Sequence, residues 1–131
     1  MNQASSNATC DITMPSNAKM ECTMKYYSIY KFLPMLNQFN VYSTQESSSN
    51  ELVLRDFDDP NAWNNRTTIN NTHLSDGLHT IIIQNNVGTI KEGSTTLGSK
   101  NLIGTTKNLQ LPNNTNSNRK YSVKDIKVRQ L

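Results

Sequence analysis

Hydrophobic and polar residues alternate with a period of two along several short stretches of this chain. The clearest run is 18–26, whose apolar positions are Ala18, Met20, Cys22, Met24 and Tyr26. Lysine, glutamate and threonine occupy the positions between them. A period of two predicts a half-buried β-strand, because successive side chains of a strand point to opposite faces of its sheet.

A shorter alternating run precedes this one, and the tripeptide Pro15-Ser16-Asn17 separates the two. Such a break suits a short turn, so we predict an N-terminal hairpin over 10–26 in which Cys10 faces Cys22. Neighbouring cysteines of this kind can be buried thiols that fill the core or a cross-strand disulfide. A copper site built from these sulfurs is not expected, because same-face side chains on one strand lie ~6.6 Å apart and do not converge.

Further strands are predicted downstream. Residues 38–44 and 51–57 alternate again, and 78–86 contains three consecutive isoleucines, which favours a central strand or one covered by a partner. In the C-terminal segment 120–130 the apolar parity changes at Lys124-Asp125, which is the pattern that a β-bulge produces.

These segments predict one all-β domain over residues 1–131. We expect a small antiparallel β-sandwich or jelly-roll-like fold of seven to eight short strands. Between two predicted strands lies an irregular loop, 58–77, without periodicity, and we expect Trp63 and Ile69 to anchor it. Loops of this length in a small domain are often functional.

The composition shows what fills the surface of this domain. Hydrophobic residues make up 34% and charged residues 18% of the chain, which contains 19 Asn, 14 Thr and 13 Ser. A net charge of +3 is too small to indicate a nucleic-acid partner. The first ten residues lack the features of a signal peptide, and no apolar run is long enough to span a membrane. We therefore expect an intracellular protein, or one that is carried within a particle such as a virion.

One acidic segment has the oxygen-rich chemistry that calcium prefers. Asp56, Asp58 and Asp59 precede Asn61 and Asn64, and alternating oxygen ligands suit Ca²⁺. The segment has no glycine for a tight ligand loop and no following bidentate glutamate. Asp and Asn also cap ordinary turns, so we expect turn capping and no bound metal.

No catalytic or cofactor motif is found. The two histidines, His73 and His79, lack the local sequence signature of a catalytic base, and no phosphate-binding glycine pattern is present. We therefore expect a non-enzymatic protein without a cofactor. The basic residues near the C-terminus are interrupted by Asp125 and suit the wet face of an edge strand; they are Arg119, Lys120, Lys124, Lys127 and Arg129.

A thin core and a surface of amides and hydroxyls favour a protein that makes contacts. Our first hypothesis is a structural component of a large assembly, such as a minor capsid, decoration or tail-type protein, whose partners include copies of itself. The alternative is a carbohydrate- or protein-binding sandwich that uses the 58–77 loop. Its binding residues would be the aromatic side chains of Trp63 and Tyr42 with the polar groups of Asp58 and Asn64.

Overall fold

The computed structural model describes residues 9–13, 18–46, 49–103, 108–110 and 123–130 of the 131-residue chain. Ten β-strands lie within these residues, together with one short 3-10 helix, Ser28–Tyr30. The strands are β1 Thr9–Thr13, β2 Ala18–Tyr26, β3 Phe39–Glu46, β4 Ser49–Asp56, β5 Thr67–Asn70, β6 Gly77–Gln84, β7 Val87–Glu92, β8 Thr95–Asn101, β9 Asn108–Gln110 and β10 Val123–Gln130.

The strands form an all-β, sandwich-like domain, as the alternation predicted. A five-stranded antiparallel sheet has the order β10-β2-β6-β7-β8, and a three-stranded sheet has the order β3-β4-β5. β1 and β9 form a separate two-stranded sheet. The described strands number ten, more than the expected seven to eight, because β5 and β9 are only four and three residues long and show no clear alternation.

One hydrophobic core lies between the two larger sheets. β2 contributes the inward side chains of its alternating run, and β3 and β4 contribute theirs from the opposite sheet. Members of this cluster with no exposed surface include Cys22, Met24, Phe39, Val41, Leu52, Leu54, Ile81 and Ile90. The two sheets pack closely at two glycines: the ring of Phe39 lies over Gly88, and Ile69 and Leu54 lie over Gly98.

The predicted N-terminal hairpin is wrong in its pairing. β1 pairs with β9, whereas β2 lies between β6 and β10, so that Cys22 is opposite Ile81 and Ile126 and not opposite Cys10. Alternation fixes which side chains of β2 face inward but not which strand lies beside it. The isoleucines of β6 offer β2 a larger apolar surface for pairing than the residues of β1 do. Cys22 is a buried thiol, while residues 14–17, where the turn was predicted, and the side chain of Cys10 lie outside the described residues.

The predicted loop 58–77 differs in detail from the structure, whereas the bulge predicted in the C-terminal strand agrees with it. The loop 58–77 contains strand β5, whose Ile69 packs against the core, because β-branched residues at Thr67, Thr68 and Ile69 favour an extended backbone. Trp63, the other expected anchor, is 51% exposed and does not anchor the loop in the core. In β10 the register against β2 shifts between Val123 and Asp125, where the apolar parity changes. Residues 120–122, with Arg119, lie outside the described part of the chain.

The isoleucine-rich segment is the central strand of the five-stranded sheet. β6 has β2 on one side and β7 on the other. The turn to β7 is the dipeptide Asn85-Asn86, with positive φ angles of 53° and 60°, which asparagine tolerates better than most residues. This tight turn places the outward side chains of β6 and β7 side by side.

Candidate functional site

The segment 57–66 is a series of turns that Asp59 holds together. The Asp59 carboxylate accepts hydrogen bonds from the backbone N–H of Asn61 at 2.8 Å and from Nδ2 of Asn65 at 2.9 Å. These two bonds lower the pKa of Asp59, and Lys100 adds a smaller effect of the same sign. Nζ of Lys100 in β8 also donates to the Asn65 carbonyl at 2.7 Å, which ties these turns to the five-stranded sheet.

Asp56 anchors the start of the same segment from below. Its buried carboxylate accepts hydrogen bonds from the backbone N–H of Asp58 at 2.9 Å and of Ile103 at 2.6 Å. Nε2 of Gln38 donates to the Ile103 carbonyl at 2.9 Å, and the backbone carbonyl of Gln38 accepts from the Phe57 N–H at 2.8 Å. The turns therefore rest on a fixed base at the end of β4.

The end of β4 and the turns that follow it carry a cluster of arginine and aromatic side chains. The guanidinium of Arg66 is 4.1 Å from the ring centroid of Trp63, and it donates to the Trp63 carbonyl at 2.8 Å. The guanidinium of Arg55 is 4.9 Å from the Phe57 centroid and 5.5 Å from the Trp63 centroid. These are cation–π distances, yet Trp63 and Phe57 remain 51% and 40% exposed.

Arg55 joins this cluster to the outer face of the three-stranded sheet. Its Nε donates to Oδ1 of Asn40, directly opposite on β3, at 3.0 Å. Burial lowers the pKa of Arg55, and the nearby Tyr42 acts in the opposite direction. The Tyr42 ring in turn lies 4.7 Å from the ring of Phe32. We call Tyr42, Arg55, Phe57, Trp63 and Arg66 the arginine–aromatic surface.

The structure brings together part of the predicted binding set. Tyr42 and Trp63 lie on the same side of the domain, with Arg55 between them. Asn64 is exposed beside Trp63, whereas Asp58 is half-buried and its N–H bonds to Asp56. The arginines were not in the predicted set. The alternation in 51–57 places Arg55 on the polar face, and the cation–π contact of Arg66 has no sequence signature.

The calcium candidates do not converge on a common point. Asp56 and Asp59 each use both carboxylate oxygens to accept hydrogen bonds within and below the turns, and in both cases one donor is the N–H two residues ahead. Among the described residues, no group of three His, Cys, Asp or Glu side chains is placed to hold a metal ion. The carboxylates of Asp56 and Asp59 therefore cap turns.

The two histidines lie in separate environments. Nδ1 of His73 is 2.9 Å from Oδ1 of Asn50. His79 is buried in β6, where Nδ1 donates to the Gly77 carbonyl at 3.0 Å. Among the described residues its Nε2 has no hydrogen-bond partner, and it lies 3.6 Å from Oε1 of Glu92. The side chain of His79 has no exposed surface, so its ring does not line an open site.

Comparison with other proteins adds no family or function. No protein-family model matches the chain, and no curated protein or solved structure shows significant similarity to it. Across the described residues, no helix has the length and apolar character needed to cross a lipid bilayer. The geometry of the surfaces is therefore the basis for inferring a function.

Proposed function

We propose that this protein is a non-enzymatic subunit of a larger protein assembly, of the capsid, decoration or tail type, and that it contacts a second copy of itself through the arginine–aromatic surface. The observation that carries the proposal is the half-exposed ring of Trp63. Its centroid lies 4.1 Å from the guanidinium of Arg66 and 5.5 Å from that of Arg55. Tryptophan and arginine are the residues most enriched at the energetic centres of protein interfaces.

The arrangement of this surface is suited to tight packing. The Trp63 ring and the Arg66 guanidinium are already held by a hydrogen bond and a stacking contact. Binding therefore orders fewer rotamers, each of which costs about 0.5–1.5 kcal/mol when an interface immobilises it. Exposed amides of the same turns, including Asn61, Asn64 and Asn65, supply donors and acceptors for the rim.

Charge balance favours a second copy as the partner. The surface and the turns beneath it, together with Lys100, which bonds to those turns from β8, contain three basic residues and three acidic ones, so their formal charges cancel; they are Arg55, Arg66, Lys100, Asp56, Asp58 and Asp59. Two copies therefore do not repel each other here. A two-fold contact places the same patch of both copies face to face, so this balance of charge applies to it directly.

The carbohydrate-binding alternative is less favoured at this loop. A sugar ring stacks on the open face of an aromatic side chain, but Arg66 covers one face of Trp63. A glycan array tests the alternative directly. Glycan binding that is lost in Trp63→Ala would replace protein contact as the role of this surface.

Analytical ultracentrifugation over a range of concentrations tests self-association. We expect wild-type protein to associate and its melting temperature to rise with concentration, because association stabilises the folded state by mass action. Trp63→Ala should raise the dissociation constant about thirtyfold or more, in line with the ~2 kcal/mol or more lost at interface hot spots. Arg66→Ala should act in the same direction.

Leu78→Ala is the matched control. Leu78 is 48% exposed, close to the exposure of Trp63, but lies on the outer face of the five-stranded sheet. This variant should associate like wild type. A wild-type protein that stays monomeric at all concentrations, or equal effects of Trp63→Ala and Leu78→Ala, would contradict the proposal.

A further inference from the structure

The outer face of the five-stranded sheet has a chemistry of its own. Paired residues of neighbouring strands point to the same face, so outward side chains lie in rows across the sheet. One row contains Glu21, Ile82, Thr89 and Ser99, and the next contains Thr23, Thr80, Lys91 and Thr96. Hydroxyl groups hydrogen-bond along these rows, at 3.1 Å between Thr23 and Thr80 and at 3.3 Å between Thr89 and Ser99. We call this the lysine–threonine face.

This face is positively charged. Its described side chains include four lysines and one glutamate, a formal sum of +3; they are Lys19, Lys25, Lys91, Lys127 and Glu21. Lys25 and Lys127 are exposed. Two copies of such a face would repel each other, so a polyanion, unlike a second copy, is electrostatically complementary to it.

A groove opens on this face between β6, β7 and β8. Its volume is about 400 Å³, and its lining includes Ile82, Val87, Gln84, Thr89, Lys91 and Thr96. The register of β7 against β8 shifts between Ile90 and Lys91, and such irregularities re-aim side chains at binding surfaces. The lining of the groove therefore combines apolar side chains, polar groups and one ammonium group.

The polar side chains that line the groove are available to a ligand. In the part of the chain that the structure describes, the side chains of Gln84, Lys91 and Thr96 make no hydrogen bond to another protein group. An amide, an ammonium and a hydroxyl thus face the same open volume. Together they can donate to and accept from several hydroxyls and one anionic group.

We propose that this groove binds an acidic saccharide, a sugar unit that carries a carboxylate or a sulfate. The C–H face of the sugar ring would pack on Ile82 and Val87, the hydroxyls would bond to Gln84, Thr89 and Thr96, and Lys91 would pair with the anion. Further acidic units of a chain would extend across the sheet toward Lys19 and Lys25. This site is separate from the arginine–aromatic surface and does not depend on its proposed role.

Single-stranded nucleic acid fits this face less well. Such ligands bind by stacking their bases on aromatic side chains above a basic groove. The described outward positions of the five-stranded sheet carry no aromatic residue. Among the described residues, the large aromatic side chains that are exposed are Phe57 and Trp63, and both lie at the other sheet.

Calorimetric titration of the full chain with a sulfated hexasaccharide tests the proposal. A neutral hexasaccharide and a single-stranded oligonucleotide of matched charge are titrated alongside it. We expect the sulfated sugar to bind and its affinity to fall as salt is raised. Lys91→Gln should lower the affinity about tenfold, which corresponds to about 1.4 kcal/mol. Lys91→Arg should restore most of it, and Thr96→Val should weaken binding without changing the fold.

Lys100→Gln is the matched control, since it removes the same charge from β8, where Lys100 bonds to Asn65 beside the other surface. It should bind the sulfated sugar like wild type. Absence of binding, equal affinity for the neutral sugar, equal effects of Lys91→Gln and Lys100→Gln, or tighter binding of the oligonucleotide would each overturn the proposal. Nuclear magnetic resonance shifts confined to β6–β8 would place the ligand in the groove.

Discussion

Gly88 provides a direct test of how the two sheets pack. An added Cβ at this position would lie 2.8 Å from Cγ and Cδ1 of the Phe39 ring. The ring belongs to a side chain with no exposed surface, and the Phe39 N–H is held by the Leu36 carbonyl at 3.0 Å. The ring therefore has little freedom to move away, and Gly88→Ala should separate the sheets locally.

The expected magnitude follows from these distances. Ordinary contacts begin at 3.4 Å, so the ring must retreat by about 0.6 Å, a typical overpacking strain that costs about 1–3 kcal/mol. Alanine also lowers the conformational entropy of the unfolded chain, which stabilises the folded protein by about 0.4–1 kcal/mol. We expect Gly88→Ala to lower the free energy of unfolding by about 1–2 kcal/mol. Gly98→Ala should cost less, because the atom it meets first is the terminal methyl of the half-buried Ile69.

Urea denaturation of single and double variants measures these effects. In a Phe39→Leu background the cost of Gly88→Ala should largely disappear, which gives a coupling energy of about 1 kcal/mol or more. Gly93→Asn is the control, since Gly93 has a φ of 61° and open space around it; asparagine should change stability by less than about 0.5 kcal/mol. A Gly88→Ala variant as stable as wild type, or one less affected than Gly98→Ala, would refute the packing argument.

Three further predictions concern buried polar groups. Asp56→Asn should destabilise the fold by about 1–3 kcal/mol in urea titrations, because the amide places a donor against one of the N–H groups that the carboxylate accepts, including that of Ile103; an unchanged midpoint would contradict this. Burial raises the pKa of Tyr26 above its ordinary value of 10.0. The free energy of unfolding should therefore be unaffected by this group below pH 10, where the unfolded chain keeps the phenol protonated, and should fall as the pH rises from there through the folded pKa. Tyr26→Phe should flatten this alkaline decline, and an unchanged decline would contradict the prediction. In a Cys10→Ser variant, Cys22, which has no exposed surface, should react with a thiol reagent only as fast as the protein opens, and immediate reaction would show that the core is accessible there.

Local patterns predicted the strands well but not all of their partners. The alternation of 18–26 and the isoleucines of 78–86 correctly placed β2 and the central β6, because inward orientation follows from the sequence of one strand. Pairing depends on competition among distant strands. A three-residue break after β1 favoured a local hairpin, yet β2 pairs with β6 and β10, which lie about 60 and 100 residues away along the chain.

The candidate surface was predicted only in outline. Trp63 and Tyr42 were identifiable as aromatic residues on polar stretches, and the structure places them on one side of the domain. The positions of the arginines could not be derived, because the stacking of Arg66 depends on the turn that Asp59 holds. The lysine–threonine face required the register of four strands. The lysines alternate within single strands in the sequence, and only pairing brings them onto one surface.

The two surfaces belong to opposite sides of the molecule, because the inner faces of the two sheets share one core. The described side chains of the lysine–threonine face carry a formal charge of +3, whereas those of the arginine–aromatic surface and the turns beneath it, with Lys100, sum to zero. A polyanion would therefore orient the domain with the arginine–aromatic surface pointing away from it. Binding of a polyanion would leave the arginine–aromatic surface open, and self-association would leave the lysine–threonine face open. A bound acidic saccharide should therefore not compete with self-association. If the sulfated hexasaccharide dissociated the assembled protein, the two surfaces would have to overlap, and this arrangement of charges would not be the basis of either contact.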